Sequence, residues 1–76
     1  MNKLRRKSLM DIADQLEELK SSLEERQADE EDYRDNMPEN LQSSERYEKA
    51  DEAVSNLEDA VSSLEEAISS IEAAIE

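Results

Sequence analysis

The second half of the chain carries the clearest hydrophobic pattern. Its apolar residues recur at alternating steps of three and four positions, which is the a/d repeat of a heptad and indicates a helix with one apolar stripe. These positions hold Tyr47, Ala50, Val54, Leu57, Val61, Leu64, Ile68, Ile71 and Ile75. A column of alanines fills the neighbouring g position: Ala53, Ala60, Ala67 and Ala74. We therefore predict a long helix over about 44–75 with a broad apolar sector.

The first half shows the same period less completely. Apolar residues fill most of the expected places, whereas Arg26 and Glu30 interrupt the series. The apolar members are Leu9, Ile12, Leu16, Leu19, Leu23, Tyr33 and Met37. This period predicts a helix over about 4–35. Pro38 cannot continue that helix, and Ser43 or Ser44 can cap the next one, which leaves a connection over about 36–43.

Two helices of similar length joined by a short connection are expected to lie antiparallel. The sequence thus predicts an all-α fold with a single domain over 1–76, an antiparallel two-helix coiled-coil hairpin. Antiparallel pairing of a with d positions predicts these layers: Leu9–Ile71, Ile12–Ile68, Leu16–Leu64, Leu19–Val61 and Leu23–Leu57. The same alignment sets Lys20 near Glu65 and Arg34 near Asp51, and brings the 5–7 segment towards the acidic C-terminal end.

The alanine column makes the apolar sector of the second helix wider than a two-helix contact requires. Small residues let a neighbouring backbone come close, so we predict that this column joins two copies of the chain. The expected product is a homodimer that forms a four-helix bundle. The alternative is that Ala53, Ala60, Ala67 and Ala74 only supply helix propensity on a partly wet flank.

Charge is plentiful and uneven along the chain. It has 22 acidic and 9 basic residues, a formal net charge of −13, and no base after Lys49. The acids of the second helix repeat every heptad at e (Asp51, Glu58, Glu65 and Glu72) and at f (Glu52, Asp59 and Glu66). Such a field attracts basic proteins and repels nucleic acid and anionic membranes.

The acidic e and f residues are the candidate partner-binding site. A stiff helix with carboxylates on one side can occupy a groove built for a nucleic-acid backbone, because Lys and Arg there need only oppositely charged oxygens. The sequence therefore predicts a binding protein that inhibits a nucleic-acid-handling enzyme or defence complex. Two alternatives stay open: a solvated face that aids solubility, and a structural coiled-coil assembly module.

The amino-acid composition argues against catalysis and against metal or cofactor binding. The chain has no Cys, His or Gly, so it lacks the residues of thiol or imidazole catalysis, of ordinary zinc sites and of phosphate-binding loops. The acidic run 29–32 lacks the spacing and the Gly of a Ca²⁺ loop. We expect no enzyme activity, no cofactor and no metal site. A basic start without a following apolar stretch predicts a cytoplasmic protein rather than a secreted one.

One family resemblance is carried by the connection and the repeats. The stretch Asn-Met-Pro-Glu-Asn-Leu-Gln over 36–42, a Ser-Glu-Arg entry to the second helix and the Ala-Val-Ser-Ser-Leu-Glu-Glu repeats are its elements. They resemble small acidic helical proteins of Gram-positive bacteria and of their phages and mobile elements. The resemblance implies no assigned activity. A phage setting would make inhibitors of host defence a natural comparison.

Overall fold

Two long helices make up almost the whole molecule. The computed structural model describes residues 1–76 and contains α1 (Lys3–Asp35), a short 3₁₀ turn (Glu39–Leu41) and α2 (Glu45–Ile75). The helices pack against each other as a hairpin whose principal extents are 60 × 15 × 12 Å. The predicted all-α class and the helical hairpin are confirmed, and both helices begin and end within one residue of the predicted bounds.

Local hydrogen bonds account for where the helices begin and end. The Asn2 side chain accepts a hydrogen bond from the backbone N–H of Arg5 at 2.8 Å and caps α1. Ser44 caps α2 by accepting from the backbone N–H of Tyr47, which confirms one of the two predicted capping serines. At the end of α1, the Asn36 side-chain amide donates to the carbonyl oxygen of Asp32. These contacts satisfy backbone groups that the helix itself leaves unpaired.

The a/d stripe of α2 faces α1, as the heptad pattern predicts. Val54 and Ile68 are only 2% and 4% exposed, and Ala50 and Val61 are also buried. The remaining a/d residues of α2 are half-buried. Met37 from the connection is buried as well and covers the loop end of the contact. The core of the hairpin therefore consists mainly of α2 side chains.

α1 is rotated about its axis relative to the predicted contact. Its a residues Leu9, Leu16 and Leu23 are half-buried, but the d residues Ile12 and Leu19 are 43% and 57% exposed. The inward position beside the a column is e instead, where Ala13 is buried and the other members are half-buried: Lys20, Gln27 and Arg34. The predicted burial of Ile12 and Leu19 in layers with Ile68 and Val61 is therefore wrong for the single hairpin.

Two cross-helix ion pairs accompany this rotation. Lys20 Nζ lies 3.7 Å from Glu65 Oε1, and Arg34 Nη1 lies 2.8 Å from Asp51 Oδ1, so both predicted cross-helix contacts are confirmed. With Lys20 and Arg34 turned towards α2, their aliphatic stems cover apolar surface while their charged ends reach carboxylates. A single hairpin can bury only one side of α1. Because Lys20 and Arg34 face α2, the d residues Ile12 and Leu19 stay exposed to solvent.

The basic start of α1 forms no ion pair with the acidic end of α2. Leu4, in the first turn of α1, is 80% exposed. None of Arg5, Arg6 or Lys7 forms an ion pair within 4.0 Å. The expected approach of this segment to the C-terminal carboxylates stays a prediction, and no ion pair joins the two.

A disulfide between cysteines at Leu16 and Leu64 tests the alignment of the helices. Both residues are half-buried on the facing stripes, so Leu16→Cys combined with Leu64→Cys is expected to oxidise readily within one chain. Mass spectrometry of the oxidised protein measures the yield. Preferential oxidation of Leu16→Cys combined with Leu57→Cys, one heptad away, would contradict this alignment.

Candidate interaction surfaces

The acidic side of α2, formed by the seven e and f carboxylates, lies open to solvent. All seven residues are exposed: Asp51, Glu52, Glu58, Asp59, Glu65, Glu66 and Glu72. Only Asp51 and Glu65 take part in ion pairs, and their partners are Arg34 and Lys20 of α1. The f residues Glu52, Asp59 and Glu66 have no cationic partner within 4.0 Å. These three are the carboxylates most available to another molecule.

Arg34 links α1 to α2 at the loop end of the acidic side. Its Nε donates to Asp35 at 3.0 Å and its Nη1 donates to Asp51 at 2.8 Å. The carboxylates of Asp35 and Asp51 raise the pKa of Arg34 above its ordinary value through these hydrogen bonds. A raised pKa means that the guanidinium contribution to stability is complete at neutral pH and is lost only in strongly alkaline solution. Salt, rather than pH near neutrality, is the variable that weakens the Arg34 contacts.

The C-terminal end of α2 adds to the negative field. Its last turn contains no basic residue, although Glu72 and Glu76 lie there. The carbonyl groups at a helix C-terminus already carry partial negative charge, which cations stabilise. This end is therefore electrostatically unfavourable in the isolated hairpin and would gain from a cationic partner.

A second surface, here called the apolar side, lies opposite the cross-helix ion pairs. It combines the d residues of α1 with the g column of α2, because helix geometry places d and g on the same flank of each helix. Its apolar members are Ile12, Leu19 and Tyr33 of α1 and Ala53, Ala60, Ala67 and Ala74 of α2, and the charged d residue Arg26 lies among them, between Leu19 and Tyr33. At the loop end, Tyr33 and Ala50 line one shallow groove together with four charged residues: Glu30, Glu45, Arg46 and Lys49.

Exposure varies along the apolar side. The exposed fractions of Ile12, Leu19 and Tyr33 are similar, at 43%, 57% and 50%. Ala53 and Ala60 are half-buried, whereas Ala67 and Ala74 are exposed. The hairpin alone thus leaves large apolar side chains in water on one side and unpaired carboxylates on another.

Acidic residues do not gather into a candidate metal centre. No group of three or more carboxylates lies close enough to hold a metal ion. In the acidic run of α1, Asp29 accepts a hydrogen bond from Arg26 Nε at 3.0 Å, and Glu31 accepts one from Gln27. Neither helix has a stretch long and apolar enough to cross a bilayer.

Sequence reasoning located the acidic side but missed half of the apolar side. The heptad positions of Glu52, Asp59 and Glu66 indicated outward carboxylates, and their exposure agrees with that placement. Arg26, expected among the inward residues, has a side chain that is 66% exposed and lies on the apolar flank instead. The predicted alignment with Ile12 and Leu19 inward already contained both cross-helix ion pairs, so these pairs carried no separate signal of the rotation.

Comparisons with known proteins do not extend this description. No protein family, curated protein or solved structure matches the chain.

Proposed function

We propose that this chain is a non-enzymatic binding protein whose acidic side occupies a basic groove. The partner proposed is a nucleic-acid-handling enzyme or a defence complex in the cytoplasm, and the chain inhibits it by standing in for the nucleic-acid backbone. The family resemblance suggests a phage or a mobile element as the source. One observation carries the proposal: α2 presents a base-free row of exposed carboxylates of which only two are held by ion pairs.

The spacing of the free carboxylates supports this role. Glu52, Asp59 and Glu66 repeat every heptad, which on an α-helix corresponds to about 10.5 Å. Ordinary exposed helices intersperse Glu with Lys for local stability, and α2 lacks that support after Lys49. A single-sign row on a stiff helix costs local stability, but it gives fast association with a positively charged groove.

Removing the three f charges is expected to weaken partner binding. The change is Glu52→Gln, Asp59→Gln and Glu66→Gln in one chain, which nearly keeps helix propensity. Each exposed charge pair contributes up to about 1 kcal/mol, so affinity is expected to fall by roughly tenfold at low salt and by less at high salt. Retention of proteins from producing cells on immobilised variants, at about 0.05 M and about 0.3 M salt, measures this difference.

A matched control separates position from net charge. Asp11→Gln, Glu18→Gln and Glu25→Gln remove the same charge at the same spacing from the exposed outer side of α1. This control is expected to retain the partner like the wild type, and duplex DNA is expected to displace the partner from both. Equal retention by the wild type and the f variant at both salt concentrations would contradict the proposal.

We further propose that the hairpin is an antiparallel coiled coil that dimerises into a four-helix bundle. Partner numbers fall along α2 as they rise along α1 in the two cross-helix ion pairs, which supports the antiparallel relation. The alanine column Ala53, Ala60, Ala67 and Ala74 gives the close approach that a second copy needs. A homodimer also suits a chain that buries only 6 of its 76 residues.

A structural assembly module is the second candidate function. The exposed Ile12 and Leu19 favour it, because large apolar side chains along one side of a hairpin are typical of helix–helix association. In that case the helix contact itself is the function, and the acidic side only maintains solubility. Binding that persists unchanged as salt rises would support this candidate over the acidic inhibitor.

A further inference from the structure

The basic start of the chain, residues 1–8, holds most of the bases that have no carboxylate partner. It contains Lys3, Arg5, Arg6 and Lys7 and no acid. All eight residues are exposed, and none of the four bases forms an ion pair within 4.0 Å. The first turn of α1 also lacks an acidic residue, so the partial positive charge of the helix N-terminus is not compensated locally. Carboxylates from another surface would therefore stabilise this segment.

An exposed leucine lies among these bases. Leu4 is 80% exposed, the largest exposed fraction among the large hydrophobic residues that lie on the surface. A leucine side chain gains free energy when it leaves water for an apolar groove. The basic start thus presents one apolar side chain surrounded by positive charge.

A groove of complementary character lies at the other end of α1. This loop-end groove has a volume of about 420 Å³ and is lined by apolar residues from the end of α1 and from the connection. They are Tyr33, Met37, Pro38 and Leu41. Met37 is buried and Leu41 is half-buried, whereas Tyr33 and Pro38 are exposed. The groove is therefore open to solvent and can receive a side chain from outside.

Acidic residues surround the loop-end groove. Asp29 and Asp32 line it, and Asp32 has no cationic partner within 4.0 Å. Arg46 lines it as well, but residues 29–49 contain eight acids and three bases, a net charge of −5. The basic start, with four bases and no acid, has the opposite charge. Each of the two surfaces therefore offers an apolar part and a charge that the other lacks.

The two surfaces cannot meet within one molecule. They lie at opposite ends of α1, an unbroken helix of 33 residues that is about 50 Å long at about 1.5 Å per residue. An extended anionic surface is a poorer match for the basic start, because Asp11 and Asp14 follow Lys3 and Lys7 on the same stripe of α1. A contact that is limited to the first two turns fits the end of another rod-shaped molecule.

We infer that the basic start of one copy docks in the loop-end groove of a second copy. Leu4 enters the apolar part of the groove, and the neighbouring bases lie beside Asp32. This contact joins different surfaces of the two copies, so it extends rods end to end. It is separate from the proposed dimer, which joins rods side by side, and it leaves the acidic side of α2 accessible.

The contact is small, so its affinity is low. One buried leucine together with two or three exposed ion pairs corresponds to a dissociation constant of roughly 1 mM. Chains at micromolar concentration therefore do not associate end to end. Salt weakens the contact further because its ion pairs are exposed.

Small-angle X-ray scattering tests the inference, since association end to end lengthens the particle and association side by side does not. The hairpin has a longest extent of 60 Å. At about 1 mM protein and about 0.1 M salt, the maximum dimension is expected to be at least about 1.5 times that at about 50 μM. Raising the salt to about 0.5 M is expected to remove most of this growth.

Two variants, each with a matched control, locate the contact. Leu4→Ala and Asp32→Lys are each expected to raise the dissociation constant at least about tenfold, so both stay short at about 1 mM. Met10→Ala and Glu18→Lys make comparable changes at exposed positions of α1 outside the two surfaces, and they are expected to lengthen like the wild type. Circular dichroism shows whether each variant keeps the helicity of the wild type.

A maximum dimension of the wild type that does not grow with concentration would overturn the inference. Growth that survives in either Leu4→Ala or Asp32→Lys would also overturn it, because the contact would then use other surfaces. An equal loss of growth in the control variants would do the same. None of these results bears on the binding of a basic partner by the f carboxylates, which the salt-dependent retention measures separately.

Discussion

Replacing Ile68 by alanine is expected to lower the free energy of unfolding by about 2–5 kcal/mol, the usual cost of truncating a buried Ile. Ile68 is only 4% exposed and packs in the contact between the helices. A core of this size supplies roughly 3–5 kcal/mol in total, so most Ile68→Ala chains are expected to be unfolded at 25 °C. Urea unfolding followed by circular dichroism measures the loss.

Leu19→Ala is the matched comparison, because Leu19 was predicted from the sequence to be as buried as Ile68 and is instead 57% exposed. At a protein concentration where light scattering reports monomers, Leu19→Ala is expected to cost less than about 1 kcal/mol, while Ile68→Ala keeps its full cost. Equal losses at the two positions in the monomer would contradict the rotation of α1 and restore the symmetrical a/d contact.

The second large effect is expected from charges placed in the alanine column. Ala60→Glu combined with Ala67→Glu is expected to raise the dissociation constant of the dimer at least about a thousandfold, because each copy would bury two unpaired carboxylates. The dissociated chains are expected to lose helicity, since each hairpin then stands alone with a small core. Sedimentation equilibrium measures the dissociation constant, and circular dichroism measures the helicity.

Ser62→Glu combined with Ser69→Glu provides the control for this experiment. Both serines are exposed on α2 and lie at b, on the flank away from the alanine column. This control adds the same charge to the same helix and is expected to leave the dissociation constant within about tenfold of the wild type. A comparable loss of dimer in the two variants would assign the effect to net charge rather than to the interface.

The fold of α2 could be predicted from the sequence almost completely. Its a/d repeat is unbroken, its alanines favour helix, and a serine is available as a cap at its start. One side of α2 is therefore strongly apolar and has only one way to face α1. Val54 and Ile68 lie where that pattern predicts.

The rotation of α1 could not be predicted from hydrophobicity. Leu16 and Leu23 are flanked by apolar d residues on one side and by Ala13, Lys20 and Arg34 on the other, so two inward faces are available. Hydrophobic burial favours Ile12 and Leu19, whereas ion pairs with α2 favour Lys20 and Arg34. The hairpin takes the second choice, and the side chains it leaves exposed are those we assign to the dimer contact.

For the acidic side, the sequence predicts where the carboxylates lie but not what they bind. Heptad spacing predicted that Glu52, Asp59 and Glu66 point outward, and their exposure follows from the α2 contact alone. Their binding role is a property of a second molecule with its own charge pattern. It therefore stays a prediction, tested by the salt dependence of partner retention.

The central claim is that the hairpin has two working sides, an apolar side that joins two copies and an acidic side that stays free. The mass of the wild-type protein in solution tests this claim most directly, by size-exclusion chromatography with multi-angle light scattering at micromolar concentration. The account predicts twice the chain mass of 8.7 kDa, both at low salt and at high salt, because the contact is apolar. A folded, helical protein with the mass of a single chain under both conditions would contradict it.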